Sequence, residues 1–312
     1  MKHINAEKVV DMDIDRCSTF HDLTEQMYRS GGFTARKVGE AVRIVRKMIS
    51  SHAYIFLSFP ADIVSTGTRG VLLKLIRDKT VSAVITTCGT LDHDLARIWK
   101  DYYHGSFEMD DVELKKKGIH RLGNILIPEG SYGPIIEEKM QKFLEEIYSE
   151  GIRKPSTAEL LDRLGEFAGS RQSLLYWSSK NSIPVFVPGI TDGAVGSQLW
   201  MFWQKHRDFN VDLLKDEHML SDIVFSAKKT GAIMIGGGIS KHHTIWWNQF
   251  RGGLDYAVYL TTANEFDGSL SGAQTREAIS WGKLRTDAKH VTVEGDATIT
   301  LPLIVAAALR GM

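Results

Sequence analysis

Short apolar runs alternate with amphipathic helical stretches along most of this chain of 312 residues. Predicted strands lie at residues 54–58, 82–87, 183–187, 232–235 and 256–261, each followed by a predicted helix, and a last pair of elements lies at 291–294 and 302–309. This alternation is typical of a parallel sheet whose strands are joined by crossover helices. The chain therefore predicts an α/β fold, with a doubly wound, mostly parallel sheet of Rossmann-like type and helices on both faces.

We expect a single domain over residues 1–312, because no repeat, low-complexity tract or long linker interrupts the pattern. A chain of this length is near the size at which one hydrophobic core stops growing. The first part, 1–50, is predicted as a helical segment, with apolar residues at helical spacing over 34–50. A helical insertion is predicted at about 105–180. Its predicted elements are a short strand at 120–128 and helices at 135–147 and 157–167.

The charge balance argues against a protein that binds nucleic acid or a membrane surface. Thirty-eight basic residues stand against thirty-eight acidic ones, so no net charge attracts nucleic acid or anionic lipid. Cys17 and Cys88 are too few for a disulfide framework, and the first eight residues contain no apolar signal region. Apolar runs such as 301–309 are too short to span a membrane. We expect a cytoplasmic protein.

Glycine and acidic residues cluster where the predicted strands end. The clusters lie at 62–67, 86–94, 189–196, 236–243, 262–272 and 295–296. In open parallel sheets, ligands bind outside the carboxyl ends of the strands. We therefore expect these clusters to converge on one crevice that holds a ligand.

Several of the clusters suit a dinucleotide. Gly236-Gly237-Gly238 follows an apolar run and precedes a predicted helix, which lets backbone amides approach a pyrophosphate. A tight turn is the alternative interpretation of three glycines. Ser65-Thr66-Gly67 and Thr86-Thr87-Cys88-Gly89 add hydroxyls and free amides at other strand ends, and Asp296 suits a ribose hydroxyl. Together these signals favour a dinucleotide cofactor.

Two clusters with histidine raise the question of a metal site. The neighbours His242 and His243 point to different sides of a helix, and neither they nor Asp92-His93-Asp94 fit a His-x-x-x-His or Cys-x-x-Cys spacing. We expect no catalytic metal. One histidine of the pair is expected to move a proton or to hydrogen-bond an amine, because imidazole titrates near neutral pH. The other is expected to be structural.

Residues 262–285 combine side chains that no ordinary structural element needs. Acidic residues stand among glycines, and the segment ends in Trp281-Gly282-Lys283. A lysine is a nucleophile only when its amine is neutral, and burial beside an indole, with a cation such as Arg285 nearby, favours that form. Lys283 is therefore a candidate imine-forming residue. The alternative is a solvated lysine in a surface turn.

The same stretch resembles a signature of the deoxyhypusine synthase family. The resemblance lies in Glu-Phe-Asp-Gly-Ser-x-Ser-Gly-Ala at 265–273 and in Glu-Ala-x-Ser-Trp-Gly-Lys at 277–283, and it extends from about Val10 to about Leu309. It implies an archaeal-type member. Such enzymes use NAD to oxidise spermidine, carry its aminobutyl group on an enzyme lysine as an imine, transfer it to a lysine of translation initiation factor 5A and reduce the product.

The resemblance also implies roles for individual residues. Lys283 corresponds to the imine-forming lysine, and His242 to a second catalytic residue. Those implied to bind the amine are Trp281, Glu277, Tyr259 and His242, and those implied around NAD are Ser65, Thr86, Asp192, Gly237, Gly238, Thr262, Ser271 and Asp296. In the family these sites lie at subunit interfaces of a homotetramer, and the same assembly is implied here.

Three residues depart from the eukaryotic pattern of the family. Ser197 and Leu270 stand where acids are found, and Trp246 replaces an asparagine. The loss of two carboxylates removes charge-assisted contacts to a remote ammonium, each worth about 1.5–3 kcal/mol. Spermidine is favoured as donor, with agmatine or putrescine as alternatives, and a homospermidine-forming reaction would use a small amine as acceptor. An NAD-binding assembly protein without catalysis is the alternative of another class.

Overall fold

The computed structural model describes residues 6–310, and the segment predicted at 1–50 therefore begins outside the described range. The helices and strands are α1 (Phe20–Arg29), α2 (Phe33–Ser50), β1 (Tyr54–Ser58), α3 (Asp62–Ser65), α4 (Arg69–Arg77), β2 (Ala83–Ile85), α5 (Cys88–Trp99), β3 (Tyr103–His104), α6 (Asp111–Lys116), β4 (Ile119–Leu122), β5 (Ile125–Pro128), α7 (Gly133–Ser149), α8 (Thr157–Ala168), α9 (Leu174–Asn181), β6 (Val185–Phe186), α10 (Ala194–Lys205), α11 (Leu213–Ser226), β7 (Thr230–Ile235), α12 (Gly238–Gln249), β8 (Leu254–Thr261), α13 (Glu277–Ser280), β9 (Leu284–Glu294) and α14 (Ala297–Leu309). Within the described range, no helix is long and apolar enough to cross a membrane.

Six strands form one parallel sheet in the order β6-β2-β1-β7-β8-β9. Counted along the chain, this is the order 3-2-1-4-5-6 of a doubly wound Rossmann-type sheet. The order reverses between β1 and β7, which is where such sheets open a crevice for ligands. The predicted α/β fold with a mostly parallel sheet is confirmed.

Alternate strand residues pack on opposite faces of the sheet. On one face, Ile233 and Ile235 of β7 belong to the larger apolar cluster, to which α2, α5 and α14 contribute. On the other face, Ala232 and Met234 belong to a second cluster with Ile245 of α12. Both faces are therefore covered, as a sheet of nearly continuous apolar strands requires.

The chain between α5 and β6 adds a small sheet to the helices that the sequence predicts there. Strands β3, β5 and β4 form an antiparallel sheet in that order, so the short strand predicted at 120–128 is a hairpin. The fully buried Asp94 of α5 connects this region to α5. Its carboxylate accepts hydrogen bonds from Ser173 Oγ at 2.7 Å and from the backbone N–H of Leu174 at 2.9 Å, and it thereby caps α9.

The helix predicted after residues 256–261 is replaced by a loop. Residues 262–276 contain only a 3-10 turn before the four-residue helix α13. The side chains of Asn264 and Asp267 accept hydrogen bonds from backbone N–H groups two residues further on. Such local bonds compete with helical hydrogen bonding, which explains why the helix prediction is wrong here.

An additional helix, α1, precedes the first helix that the apolar spacing predicts. It begins with a capping box, in which Thr19 accepts from the backbone N–H of Asp22 and the Asp22 carboxylate accepts from that of Thr19. Two orphan N–H groups of the first turn are satisfied in this way. The pair Thr19 and Asp22 is the sequence signal for this helix start.

Two helical glycines allow a test of close packing in this fold. A Cβ at Gly165 in α8 would lie 2.2 Å from the carbonyl oxygen of Leu175 in α9, whereas a Cβ at Gly70 in α4 would meet nothing within 4 Å. We expect Gly165→Ala to lower the free energy of unfolding by about 1–3 kcal/mol through overpacking. Gly70→Ala is expected to cause no loss. Equal losses in denaturant titrations would contradict the packing of α8 on α9.

Candidate active site

A cavity of about 190 Å³ lies on the α12 face of the sheet. It is formed by α12, by Met234 of β7 and by the chain that connects β8 to β9. The predicted catalytic and amine-binding residues that line it are Lys283, His242, Glu277 and Trp281. The structure therefore brings together residues up to 41 positions apart in the sequence, from α12, from α13 and from the turn between α13 and β9.

Lys283 is buried in this cavity, with 9% of its surface exposed. The chain reaches it through Gly282, whose φ of 68° is left-handed and favours glycine. The backbone N–H of Lys283 donates to Ala278 at 2.9 Å, and its carbonyl accepts from Leu254 at 3.0 Å. These bonds fix the residue immediately before β9. The side chain is therefore not that of a solvated surface lysine.

Two indoles flank the amine of Lys283. Its Nζ lies 5.3 Å from the ring centroid of Trp281 and 5.8 Å from that of Trp246. The ring of Trp246 also stacks on His242, with centroids 5.7 Å apart. Burial lowers the pKa of His242, and the positive charges of Lys283 and His243 lower it further. A neutral imidazole beside an amine can accept or donate a proton.

Lys241 also lines this cavity, although it is not among the site residues predicted from the sequence. Its Nζ donates hydrogen bonds to the carbonyls of Leu270 at 2.8 Å and Ala273 at 2.5 Å. Burial lowers the pKa of Lys241 to about 7; the charge of Glu277 opposes this shift and that of Lys283 adds to it. A signal for it exists in the sequence, because residues 241, 244, 245 and 248 follow helical spacing. That spacing places Lys241 on the buried face of α12.

His243 faces away from the cavity and makes structural contacts. Its Nε2 lies 3.1 Å from Glu217 of α11, whose carboxylate also accepts a hydrogen bond from Trp247 Nε1 at 2.6 Å. Burial lowers the pKa of His243, although the charge of Glu217 opposes this. Of the two neighbouring histidines, only His242 lines the cavity.

The residues predicted around NAD follow the carboxyl ends of the main-sheet strands. Ser65 follows β1, Thr86 follows β2, Asp192 follows β6, Gly237 and Gly238 follow β7, Thr262 and Ser271 follow β8, and Asp296 follows β9. All six strands of the sheet contribute. This is the edge at which doubly wound sheets bind nucleotides.

Gly237 and Ser271 meet where α12 begins. A Cβ at Gly237 would lie 2.0 Å from Ser271 Oγ, so only glycine fits there. The carbonyl of Ser271 accepts hydrogen bonds from Tyr259 Oη at 2.6 Å and Thr261 Oγ1 at 2.9 Å. Tyr259 is fully buried behind this loop and is not among the residues that line the cavity. Its predicted contact with an amine therefore stays a prediction.

Some of the other residues predicted around NAD form hydrogen bonds within the protein, and others are exposed. Thr86 Oγ1 donates to the carbonyl of Phe59, and Ser65 Oγ donates to that of Asp62, both at 2.7 Å. Asp296 caps α14 through one carboxylate oxygen, which accepts from the backbone N–H of Thr298. Asp192 and Thr262 are exposed.

Asp92, His93 and Asp94 point to three separate sets of partners. Asp92 caps α10 by accepting from the N–H groups of Ala194 and Val195, and His93 Nδ1 lies 3.0 Å from Tyr102 Oη. Within residues 6–310, no group of three or more His, Cys, Asp or Glu side chains is arranged to hold a metal ion.

Comparison with known proteins agrees with the site. The family model for deoxyhypusine synthase matches residues 22–308. The chain belongs to the deoxyhypusine synthase family. A probable deoxyhypusine synthase of Picrophilus torridus is 56% identical over 304 residues, 97% of each chain. One of Thermoplasma acidophilum is 55% identical over 305 residues, 98% of each chain.

Family membership confirms the resemblance predicted from the motifs and supports an enzyme of the transferase class. A crystal structure of a candidate deoxyhypusine synthase from Entamoeba histolytica superposes with a TM-score of 0.66 at 21% identity, over 97% of each chain. At that identity the likeness shows the fold.

The three departures from the eukaryotic family pattern lie at different distances from the cavity. Leu270 lines it, and Trp246 flanks the amine of Lys283. Ser197 lies on α10, where its hydroxyl donates to the carbonyl of Gly193 at 3.0 Å, and it is not among the lining residues. Two of these three residues therefore lie in the immediate surroundings of Lys283.

The role of Glu217 can be tested by stability. We expect Glu217→Ala to lower the free energy of unfolding by about 1–3 kcal/mol, because His243 and Trp247 lose a half-buried acceptor. Glu145→Ala is the matched control, since Glu145 is largely exposed and lies 3.5 Å from another histidine, His206. Its effect is expected to stay within about 0.5 kcal/mol. If denaturant titrations give both variants the same loss, the contacts of Glu217 with His243 and Trp247 do not stabilise the fold.

Proposed function

We propose that this chain transfers the aminobutyl group of spermidine, through an imine on Lys283, to a lysine of translation initiation factor 5A, with NAD as cofactor. The observation that carries the proposal is the setting of Lys283, a buried primary amine in the wall of a cavity that also holds Trp281 and Glu277. Family membership supports the same reaction class. A primary amine removed from bulk water is what imine chemistry requires.

The cavity suits an extended aliphatic amine. The indoles of Trp246 and Trp281 offer flat apolar faces to a methylene chain and a favourable face to an ammonium group. Glu277 supplies a carboxylate that pairs with such an ammonium. Apolar residues such as Leu270 and Ile245 complete the wall. A substrate with charged ends and a methylene chain between them, such as spermidine, matches this combination.

The residues at the strand ends fit a dinucleotide. Gly237 packs so closely against Ser271 that no Cβ would fit there, and the backbone N–H groups of Gly237 and Gly238 lie at the start of a twelve-residue helix. Helix starts of this kind bind phosphate oxygens. Asp296 would bind a ribose hydroxyl with its second carboxylate oxygen. NAD, when bound, supplies the hydride acceptor for the amine and the hydride donor for the final imine.

The side chains of the cavity carry out the nucleophilic attack, the proton exchange and the binding of the substrate ammonium. Lys283 Nζ attacks the oxidised carbon of the substrate, the bond from that carbon to the departing nitrogen breaks, and 1,3-diaminopropane leaves with a proton. His242 exchanges protons at these nitrogens, since its lowered pKa keeps the ring neutral near pH 7. Glu277 holds the terminal ammonium of the aminobutyl chain. The acceptor lysine then displaces Lys283 from the imine carbon.

The same proposal includes a homotetramer and a cytoplasmic location, both of which the family resemblance implies. It makes factor 5A the acceptor and spermidine the donor. Putrescine as acceptor, or agmatine as donor, gives products of different mass. Mass analysis of factor 5A after incubation with each amine therefore separates these alternatives.

The nucleophile is tested by replacing Lys283. We expect Lys283→Ala to reduce the NAD-dependent release of 1,3-diaminopropane from spermidine by at least about 10³-fold, because the variant has no amine at that position to form the imine. Release is measured by chromatography at saturating spermidine and NAD.

Lys289→Ala provides the control, because Lys289 lies six residues further along and is exposed on β9. Its rate is expected to equal that of the unmodified protein. Retention of diaminopropane release by Lys283→Ala would refute the covalent role. Failure of the unmodified protein to release diaminopropane, with NAD bound, would favour the assembly protein without catalysis.

A further inference from the structure

Lys241 has a setting unlike that of an ordinary helix lysine. It is only 3% exposed, and its Nζ lies 3.6 Å from the ring centroid of Tyr259 in addition to the two carbonyls that it binds. Within residues 6–310 it forms no ion pair. Burial of an amine without a carboxylate partner is costly, so these contacts must offset the loss of hydration.

The two carbonyls that bind Lys241 lie on either side of Ser271 in the chain. They belong to Leu270 and Ala273, while the carbonyl of Ser271 itself is bound by Tyr259 and Thr261 of β8. The loop is therefore fastened to α12 on one side and to β8 on the other. Between these attachments, Ser271 Oγ lies against the position where Gly237 has no Cβ.

This attachment belongs to the wall of the Lys283 cavity. Leu270, Ala273, Lys241 and Lys283 all line it. The amine of Lys241 has two N–H groups when neutral and three when charged. Because two are enough for the two carbonyls, the attachment is retained in both protonation states, including near pH 7, where burial places the pKa of Lys241.

We propose that Lys241 is a positioning residue for the reaction at Lys283: by binding the carbonyls of Leu270 and Ala273 it fixes the cavity wall around the amine and keeps Ser271 against the start of α12. The inference rests on the proposed function, since it concerns the same imine-forming step. A lysine with a purely structural role would affect stability and leave the chemical step unchanged. A displaced wall changes the orientation of the bound amine, which acts on the rate more than on affinity.

The test compares Lys241→Met, which keeps the length and loses the amine, with Lys241→Arg, which keeps donors and charge. Both are measured at a temperature where circular dichroism shows them folded. The readouts are the maximal rate of the borohydride-trapped adduct on Lys283 in single turnover and the spermidine concentration for half-maximal rate. We expect Lys241→Met to lower the maximal rate at least about tenfold, with the half-maximal concentration changed less than about threefold, and Lys241→Arg to restore most of the rate.

Thr261→Val extends the test if Lys241→Met does not fold. It removes one donor to the Ser271 carbonyl and one acceptor for the backbone N–H of Ala263, and it leaves the buried amine in place. The same fall in maximal rate is expected on a smaller scale. Lys289→Met serves as the exposed control. An unchanged maximal rate in Lys241→Met, or in Thr261→Val where the former is unfolded, overturns the inference while leaving the proposed function intact. Absence of an adduct in the unmodified protein overturns both.

Discussion

Burial of a primary amine is the constraint on which the site depends. A charged amine that leaves water loses several kcal/mol of hydration unless partners replace it. In the described part of the chain, two lysines, Lys241 and Lys283, line one cavity, and Glu277 is the one carboxylate among its lining residues. For the amine of Lys241, two backbone carbonyls and the ring of Tyr259 take the place of hydrating water. Lys283 has indoles beside it and remains open to a ligand.

Helix α12 joins the two parts of the site. It begins with Gly237 and Gly238 at the carboxyl edge of the sheet and runs back along the sheet face. Lys241, one turn further on, binds the Ser271 loop, and Trp246 reaches the amine of Lys283. Lys283 itself precedes β9, whereas the residues predicted around NAD follow their strands. One helix therefore connects the carboxyl edge of the sheet to an amine that precedes β9 at the opposite edge.

The sheet and the position of Lys283 could be predicted because both leave local signals. Apolar runs such as 232–235 are expected for strands that are buried on both faces of the sheet. In Trp281-Gly282-Lys283, the glycine indicates a turn immediately before the lysine. The partners of Lys241 and His243 could not be predicted in this way. They lie 26 or more residues away in sequence, on the Ser271 loop and on α11. Contacts of that kind depend on how elements pack, which periodicity does not specify.

The loop after β8 also shows where prediction from the sequence fails, because a helix is predicted there. Its apolar and charged residues allow a helix, but Asn264 and Asp267 bind nearby backbone N–H groups and Lys241 binds its carbonyls. Local side-chain bonds and one distant amine together decide the conformation that lines the cavity.

Peptide mapping of the reduced adduct tests the central claim most directly, because two buried amines share one cavity. The unmodified protein is incubated with spermidine and NAD, reduced with borohydride and digested. We expect the added aminobutyl mass on the peptide that contains Lys283 and none on the peptide that contains Lys241. Recovery of the mass on Lys241 would contradict the assignment of Lys283 as the amine that carries the transferred group.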